Sequence, residues 1–402
     1  MNTDAASWLC AVTFLATTFC ACAAEKALER PATPQSPAQF LEDKARKLIA
    51  GCRVRANDGT TFFTPDGQGN YRALWTRDFA YMVENAGNLM SIDDVESCLR
   101  ALIRGVRADG AAPDRVRPDG VAVYVAGPEN RPLGEPNIDN AQFLVIAVDE
   151  YLQRLPGARR RGLFTEWAPT FDRAMNYIPR STNGLVYNDP AKPHSPYGFT
   201  DTVGKTGELL FESLLDWTAS RRLAAHYLDG GDERSAKTHS ARAAMTEGNL
   251  AVLWDDKAGA FLAAARDCRQ IDVWGNAYAI WLDFPLGGKR ARVLRFLQEN
   301  REGFIWHGQV RHLPAGEHWQ RLLTPVPPGR YQNGAYWATA SGWMMWSLAQ
   351  SDRSLARRMW NDLIDDFKRG DVCECVNEGY RQLPSYVVSA VNPLAAARRL
   401  GF

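Results

Sequence analysis

The sequence predicts an all-α fold: twelve helices in a double ring, an (α/α)6 toroid with short β segments in its loops. Three observations lead there. Twelve stretches carry apolar residues at helical spacing. Long loops precede helices two, four, six, eight, ten and twelve, whereas links after even helices are short, so each outer helix is followed by an inner one. Even helices are also small or apolar all round, as Ala335, Ala338, Thr339, Ala340 and Gly342 make the tenth, which suits a helix covered on every side. The absence of a fixed-period repeat argues against a solenoid.

After a Pro-rich leader at Pro31 to Pro37, the first helix is expected over 38–52 and the second over 79–90, directly after Asp78. The third, 92–106, has Ser91 placed to cap it and aspartates to complement the positive end of its dipole. A Gly/Pro-rich loop, Asp109 to Asn137, leads to the fourth at 137–155; the fifth, 163–178, contains Pro169. The loop from Pro179 to Thr202 holds an extended GLVYND, and the sixth helix, 206–228, is stopped by Gly230 and Gly231. The remaining helices are expected over 235–254, 273–284, 289–300, 333–349, 354–369 and 385–400.

A formal charge of +1 on 402 residues offers no electrostatic footprint for nucleic acid. Composition, 46% hydrophobic and 23% charged, is that of a globular chain able to bury a large core. Residues 1–24 read as a secretory signal peptide, with an apolar run from Trp8 to Cys22 and small residues at Ala21, Ala23 and Ala24. Residues 25–402 then form a single catalytic domain, secreted or periplasmic, with no membrane association after signal removal. Five cysteines remain, Cys52, Cys98, Cys268, Cys373 and Cys375, an odd number that leaves at least one unpaired within the chain, and an oxidising compartment makes a structural disulfide from Cys373 or Cys375 the expectation. No zinc-like spacing accompanies Cys373 and Cys375, so neither metal nor cofactor is expected.

The chemistry gathers at the loops entering the even helices. YRALWTRDF, from Tyr71 to Phe79, packs aromatic, cationic and anionic groups before helix two. A sugar offers CH faces to an aromatic ring and hydroxyls to charged partners, and Trp75, Arg77 and Asp78 supply both kinds of contact. Hydrolysing a glycosidic bond further needs one carboxylic acid to protonate the leaving oxygen and a second carboxylate to activate water or attack. The entrances supply Asp78, Asp139, Asp201, Asp272, Glu374 and Glu378, with Gln332, Asn333 and Trp337 at the acid-free fifth entrance. Helix capping accounts equally well for Asp139 and Asp272. Asp201 lies among Tyr197, Gly198 and Phe199, surroundings able to hold a carboxyl protonated near neutral pH.

The W-T-R-D of Trp75 to Asp78 resembles a pattern of the six-hairpin glycosidases, including the glucoamylases, and the resemblance extends over residues 37–402. It implies that Arg77 and Asp78 hold a terminal sugar, that the general acid lies between helices five and six and that the base lies between eleven and twelve. Those positions point to Asp201 and Glu378, with Asp139 a rival acid and Glu374 a rival base. Glu378 to Tyr380 is similar to the E-x-Y of the trehalase-like branch, and Asn333, Gly334 and Trp337 to the superfamily's N-G-x-W element. Glucoamylases use glutamate as the acid, so Asp201 looks more like trehalases and processing α-glucosidases, although F-T-D departs from the W-D found there. The implied activity is exo-acting, inverting hydrolysis of an oligosaccharide or glycoside, with Tyr197, Lys205, Asp272, Trp274, Gln332, Asn333, Trp337 and Glu374 as further substrate contacts.

Other chemistries compete. VGKTGE at Val203 to Glu208 has the look of a phosphate loop, but Gly198 and Gly204 are one residue too far apart for that motif. An epimerase or polysaccharide lyase on the same toroid would need a cleft base such as His307, His312, His318 or a tyrosine. A sugar-binding protein without turnover would keep the Trp75 clamp and lose the acid pair.

Overall fold

The computed structural model describes residues 35–402, of which Ser36–Phe402 form one compact unit. The segment read as a signal peptide, residues 1–24, lies outside the described residues. Outer helices α1 (Pro37–Gly51), α3 (Ile92–Arg104), α5 (Gly157–Tyr177), α7 (Glu233–Asn249), α9 (Lys289–Glu299) and α11 (Arg353–Arg369) alternate with inner helices α2 (Thr76–Ala86), α4 (Asn140–Gln153), α6 (Leu210–Asp229), α8 (Val273–Trp281), α10 (Ser341–Ala349) and α12 (Val388–Leu400). Each inner helix packs on the next, and α12 packs back on α2, which closes the ring. The expected (α/α)6 toroid is the observed fold.

Burial separates the two rings. On α3 only the stripe Val95, Cys98, Leu99, Ala101 and Leu102 is buried. On α4 burial is continuous from Asn140 to Asp149, and on α8 from Val273 to Ile280. The centre of the toroid is aromatic: Tyr197 stacks on Phe211 at 4.1 Å, and Phe211 on Tyr278 at 4.7 Å.

Helix ends follow local chemistry. Ser91 Oγ accepts the Asp94 N–H at the start of α3, and Gly230 closes α6. α5 begins at Gly157, ahead of the expected start, and accommodates Pro169 within it. The extended GLVYND pairs Tyr187–Asn188 with Gly207–Glu208. Strand Cys373–Asn377 pairs with Tyr380–Pro384 in the loop before α12, a hairpin that the helical reading of the sequence had not drawn.

The disulfide expectation is corrected. Cys52, Cys98, Cys268, Cys373 and Cys375 are all buried and unbridged. Cys98 Sγ donates to the Thr61 carbonyl and Cys268 Sγ contacts the Arg321 carbonyl, so these thiols act as small core residues. Among the described residues no helix is long and apolar enough to cross a membrane.

Candidate active site

The loops entering the inner helices surround a cleft of about 420 Å³ lined by Tyr71, Trp75, Arg77, Asp78, Asp201 and Glu374, with Arg115, Phe199, Tyr331 and Tyr386 completing much of its wall. The floor is an ion cluster. Arg77, in the first turn of α2, donates Nε–H to Asp139 Oδ2 at 2.7 Å and Nη2–H to Asp114 Oδ1 at 2.6 Å. Arg115 binds the other oxygen of Asp114 at 2.6 Å and lies over the Trp75 ring, 4.6 Å from its centroid. Burial opposes the charge of Arg77, but Asp139 and Asp114 hold it protonated. Gly198 presses on this cluster: a Cβ there would meet Arg77 Cδ at 2.0 Å, so only glycine fits.

Three carboxyls face the cavity, Asp78 and Glu374 buried and Asp201 half-buried. Burial pushes Asp201 up to about 7, opposed by the field of Arg77 and by the Gln332 amide, which donates to Oδ1 at 2.8 Å. Burial also carries Glu374 well above the ordinary range, and Asp78 and Asp201 push it further, against the Tyr71 hydroxyl that donates to Oε1 at 2.9 Å. Asp78 is pushed up to about 6 by burial, moderated by the Tyr386 hydroxyl bonded to its Oδ1. Glu374 Oε2 and Trp75 Nε1 are buried without a protein partner, an acceptor and a donor left over at the cavity wall.

Of the residues expected at the site, Trp75, Arg77, Asp78, Asp201 and Glu374 line the cleft. Glu378 does not: it is exposed at the hairpin tip between Asn377 and Tyr380, four residues beyond the buried Glu374. Lys205 is corrected from a substrate contact to a core cation, bonded to Glu212 at 2.8 Å beside the Tyr197 ring. Asp272 caps α8 through the Gly275 N–H, as capping chemistry implies, whereas Asp139 spends its Oδ2 on Arg77 and the Gly198 N–H. Tyr197, Trp274 and Trp337 are buried in the aromatic core, with Trp274 stacked on His312 at 3.8 Å. Gln332 and Asn333 sit behind the cleft wall, Gln332 gripping Asp201. His312 is buried under Trp274, His307 is half-buried and His318 is exposed; none lines the cleft.

The sequence reading missed Asp114, Arg115, Tyr331 and Tyr386. Tyr71 stood inside the nine-residue stretch that drew attention, and Tyr386 ends the one carrying Glu374. Asp114 gave no signal, because its loop has no helical period and its role depends on folding back onto Arg77.

No family model matches the sequence, and no curated protein matches it significantly. Solved structures do match. A rhamnosidase from Klebsiella oxytoca with rhamnose bound superposes with a TM-score of 0.65 at 16% identity, covering 92% of this chain, which spans 65% of that one. The GH63 mannosylglycerate hydrolase from Thermus thermophilus in complex with glucose gives 0.65 at 15% identity, over 88% of this chain and 99% of its own. A glucoamylase from Saccharomycopsis fibuligera gives 0.60 at 13% identity, over 91% and 96%. At these identities the likeness is one of fold, the (α/α)6 toroid.

Proposed function

We propose that the protein is an exo-acting, inverting glycoside hydrolase in which Asp201 is the general acid and Glu374 the general base. One observation carries the reading: two carboxyls face a single cleft, Asp201 from the loop between α5 and α6, held up by burial as an acid requires, and Glu374 from the loop between α11 and α12, with Oε1 accepting from Tyr71 and Oε2 unpartnered. Asp201 donates its proton to the leaving glycosidic oxygen while Glu374 takes a proton from water attacking the opposite face of the sugar. Glu374 replaces Glu378 in this scheme, because an exposed hairpin-tip carboxylate does not reach the sugar that Asp201 protonates. Tyr71, Trp75 and Tyr386 supply ring surface to the bound sugar, with ring centroids 5.3 Å apart between Tyr71 and Trp75. The cavity size fits one or two sugar rings, in keeping with attack at a chain end.

A lyase or epimerase is disfavoured by the same cleft. No histidine is among its lining residues. The signal-like N-terminus supports a location outside the cytoplasm in this proposal.

The test is a mass-spectrometric screen of purified protein against oligosaccharides of varied sugar and linkage, with Asp201→Asn alongside. Cleavage that falls by about 10² to 10⁴ in the variant supports the scheme. A fall of only a few-fold removes Asp201 as the acid. Proton NMR of the first-formed anomer then reads stereochemistry, and retention excludes attack by water across the ring.

A further inference from the structure

Tyr331 and Gln332 are adjacent in the chain, Tyr331 on the cleft wall and Gln332 behind it, bonded to Asp201. Gln332 Oε1 accepts both the Thr202 N–H at 2.9 Å and the Thr202 hydroxyl at 2.7 Å. A backbone N–H only donates, so the amide has one orientation, and Nε2 faces Asp201 Oδ1 at 2.8 Å and the Gly198 carbonyl at 3.2 Å. Tyr331 lines the cleft with Tyr71, whose hydroxyl donates to Glu374.

The turn that carries them is locked. Tyr331 has φ 41°, a left-handed conformation that costs a bulky residue energy and persists only when its surroundings impose it. Trp319 Nε1 donates to the Gln332 carbonyl and Trp319 N–H to Asn333 Oδ1, both at 2.9 Å, while Asn333 Nδ2 donates to the Val326 carbonyl at 2.8 Å. Gly334 follows at φ 116°. Asn333, expected to touch substrate, instead holds this turn.

We propose that the Tyr331–Gln332 turn is the positioning element of the general acid: Gln332 makes Oδ1 of Asp201 the accepting oxygen and leaves Oδ2 to carry the proton. The inference rests on the reading of Asp201 and Glu374 as the reacting carboxyls. Gln332 is not a catalytic group; it acts through Asp201. Asp201 also faces Arg77, Asp114 and Asp139, and Glu374 faces Asp78, Asp201, Asp66, Tyr331 and Tyr386, so Asp201 titrates in a fixed field that substitution at 332 leaves in place.

The sign follows from the donor. Gln332 favours the Asp201 anion, so Gln332→Leu raises the pKa of Asp201 and moves the alkaline limb of the kcat/KM profile to higher pH by on the order of one unit. The substrate is the oligosaccharide cleaved fastest in the screen, since an alcohol leaving group needs the proton that an activated phenol does not. Gln332→Leu lowers kcat about tenfold and leaves KM within about threefold, because the residue does not face the cavity. A second readout needs no turnover: ¹³C NMR titration of aspartate-labelled protein, with the Asp201 resonance identified by its loss in Asp201→Asn, gives a higher midpoint in Gln332→Leu. An unmoved limb and an unmoved midpoint, with only a lower Tm, make the turn merely structural and overturn the proposal. If Asp201→Asn and Glu374→Gln keep full turnover, the reading of the site fails instead, and the NMR midpoint still decides whether Gln332 governs Asp201.

Discussion

Gly198→Ala is the sharpest single perturbation of the cleft floor. The added methyl meets Arg77 Cδ at 2.0 Å and Nε at 2.2 Å, where real contacts essentially never fall below 3.0 Å, so one side must retreat by about an ångström. Arg77 is held at 2.7 Å to Asp139 and 2.6 Å to Asp114, and Gly198 is itself tied to Asp139 by its N–H at 2.8 Å. Either retreat takes a buried charge-assisted bond past the roughly 3.5 Å at which it ceases to be one. Breaking a buried ion pair costs about 3–5 kcal/mol, and the stiffer unfolded chain of alanine returns about 0.4–1 kcal/mol, leaving a net loss of about 2–4 kcal/mol. With an unfolding entropy of about 2.1 cal/mol/K per residue, that loss lowers Tm by about 2–5 °C at this chain length. Scanning calorimetry resolves such a change. A Tm within roughly 1 °C of wild type would show that the cluster yields without cost and would refute the reasoning.

Other outcomes follow from the same structure. Asp201 has a folded pKa near 7 against an ordinary 3.8, so its burial costs nothing below pH 4 and is most destabilising above pH 7; Asp201→Asn should raise Tm at pH 8 and not at pH 4, by calorimetry at the two pH values. In wild type the alkaline limb of activity should fall as pH rises through about 7, where the acid loses its proton, and a pH–rate profile reads this directly. Lys205→Met strands Glu212 in the core and should cost about 3–5 kcal/mol, whereas Lys205→Met with Glu212→Leu should recover much of it, measured by urea unfolding. Asp272→Ala removes the α8 cap and should cost about 1 kcal/mol with KM unchanged, which steady-state kinetics and denaturation check together.

The helical periods and the alternation of long and short links made the double ring legible, because a helix covered on all sides must be apolar on all sides. Trp75, Arg77, Asp78 and Asp201 were legible for a related reason: they stand at the mouths of inner helices, and the toroid brings those mouths to one face. Glu374 and Glu378 were harder to separate. A hairpin tip and its buried strand lie four residues apart, and only the pairing of Cys373–Asn377 with Tyr380–Pro384 decides which carboxyl turns inward. Trp274, Trp337 and Lys205 misled because aromatic and basic residues suit a sugar cleft and an aromatic core alike. Asp114 was invisible, since its partner Arg77 lies 37 residues away across a loop without periodicity.

The central claim is that Asp201 and Glu374 act across one sugar-binding cleft. Rates of Glu374→Gln and Glu378→Gln, measured side by side on the oligosaccharide that wild type cleaves, test it most directly. The account predicts that Glu374→Gln loses about 10² to 10⁴ in kcat while Glu378→Gln stays within about threefold. The reverse order, with Glu378→Gln inactive and Glu374→Gln near wild type, would contradict it.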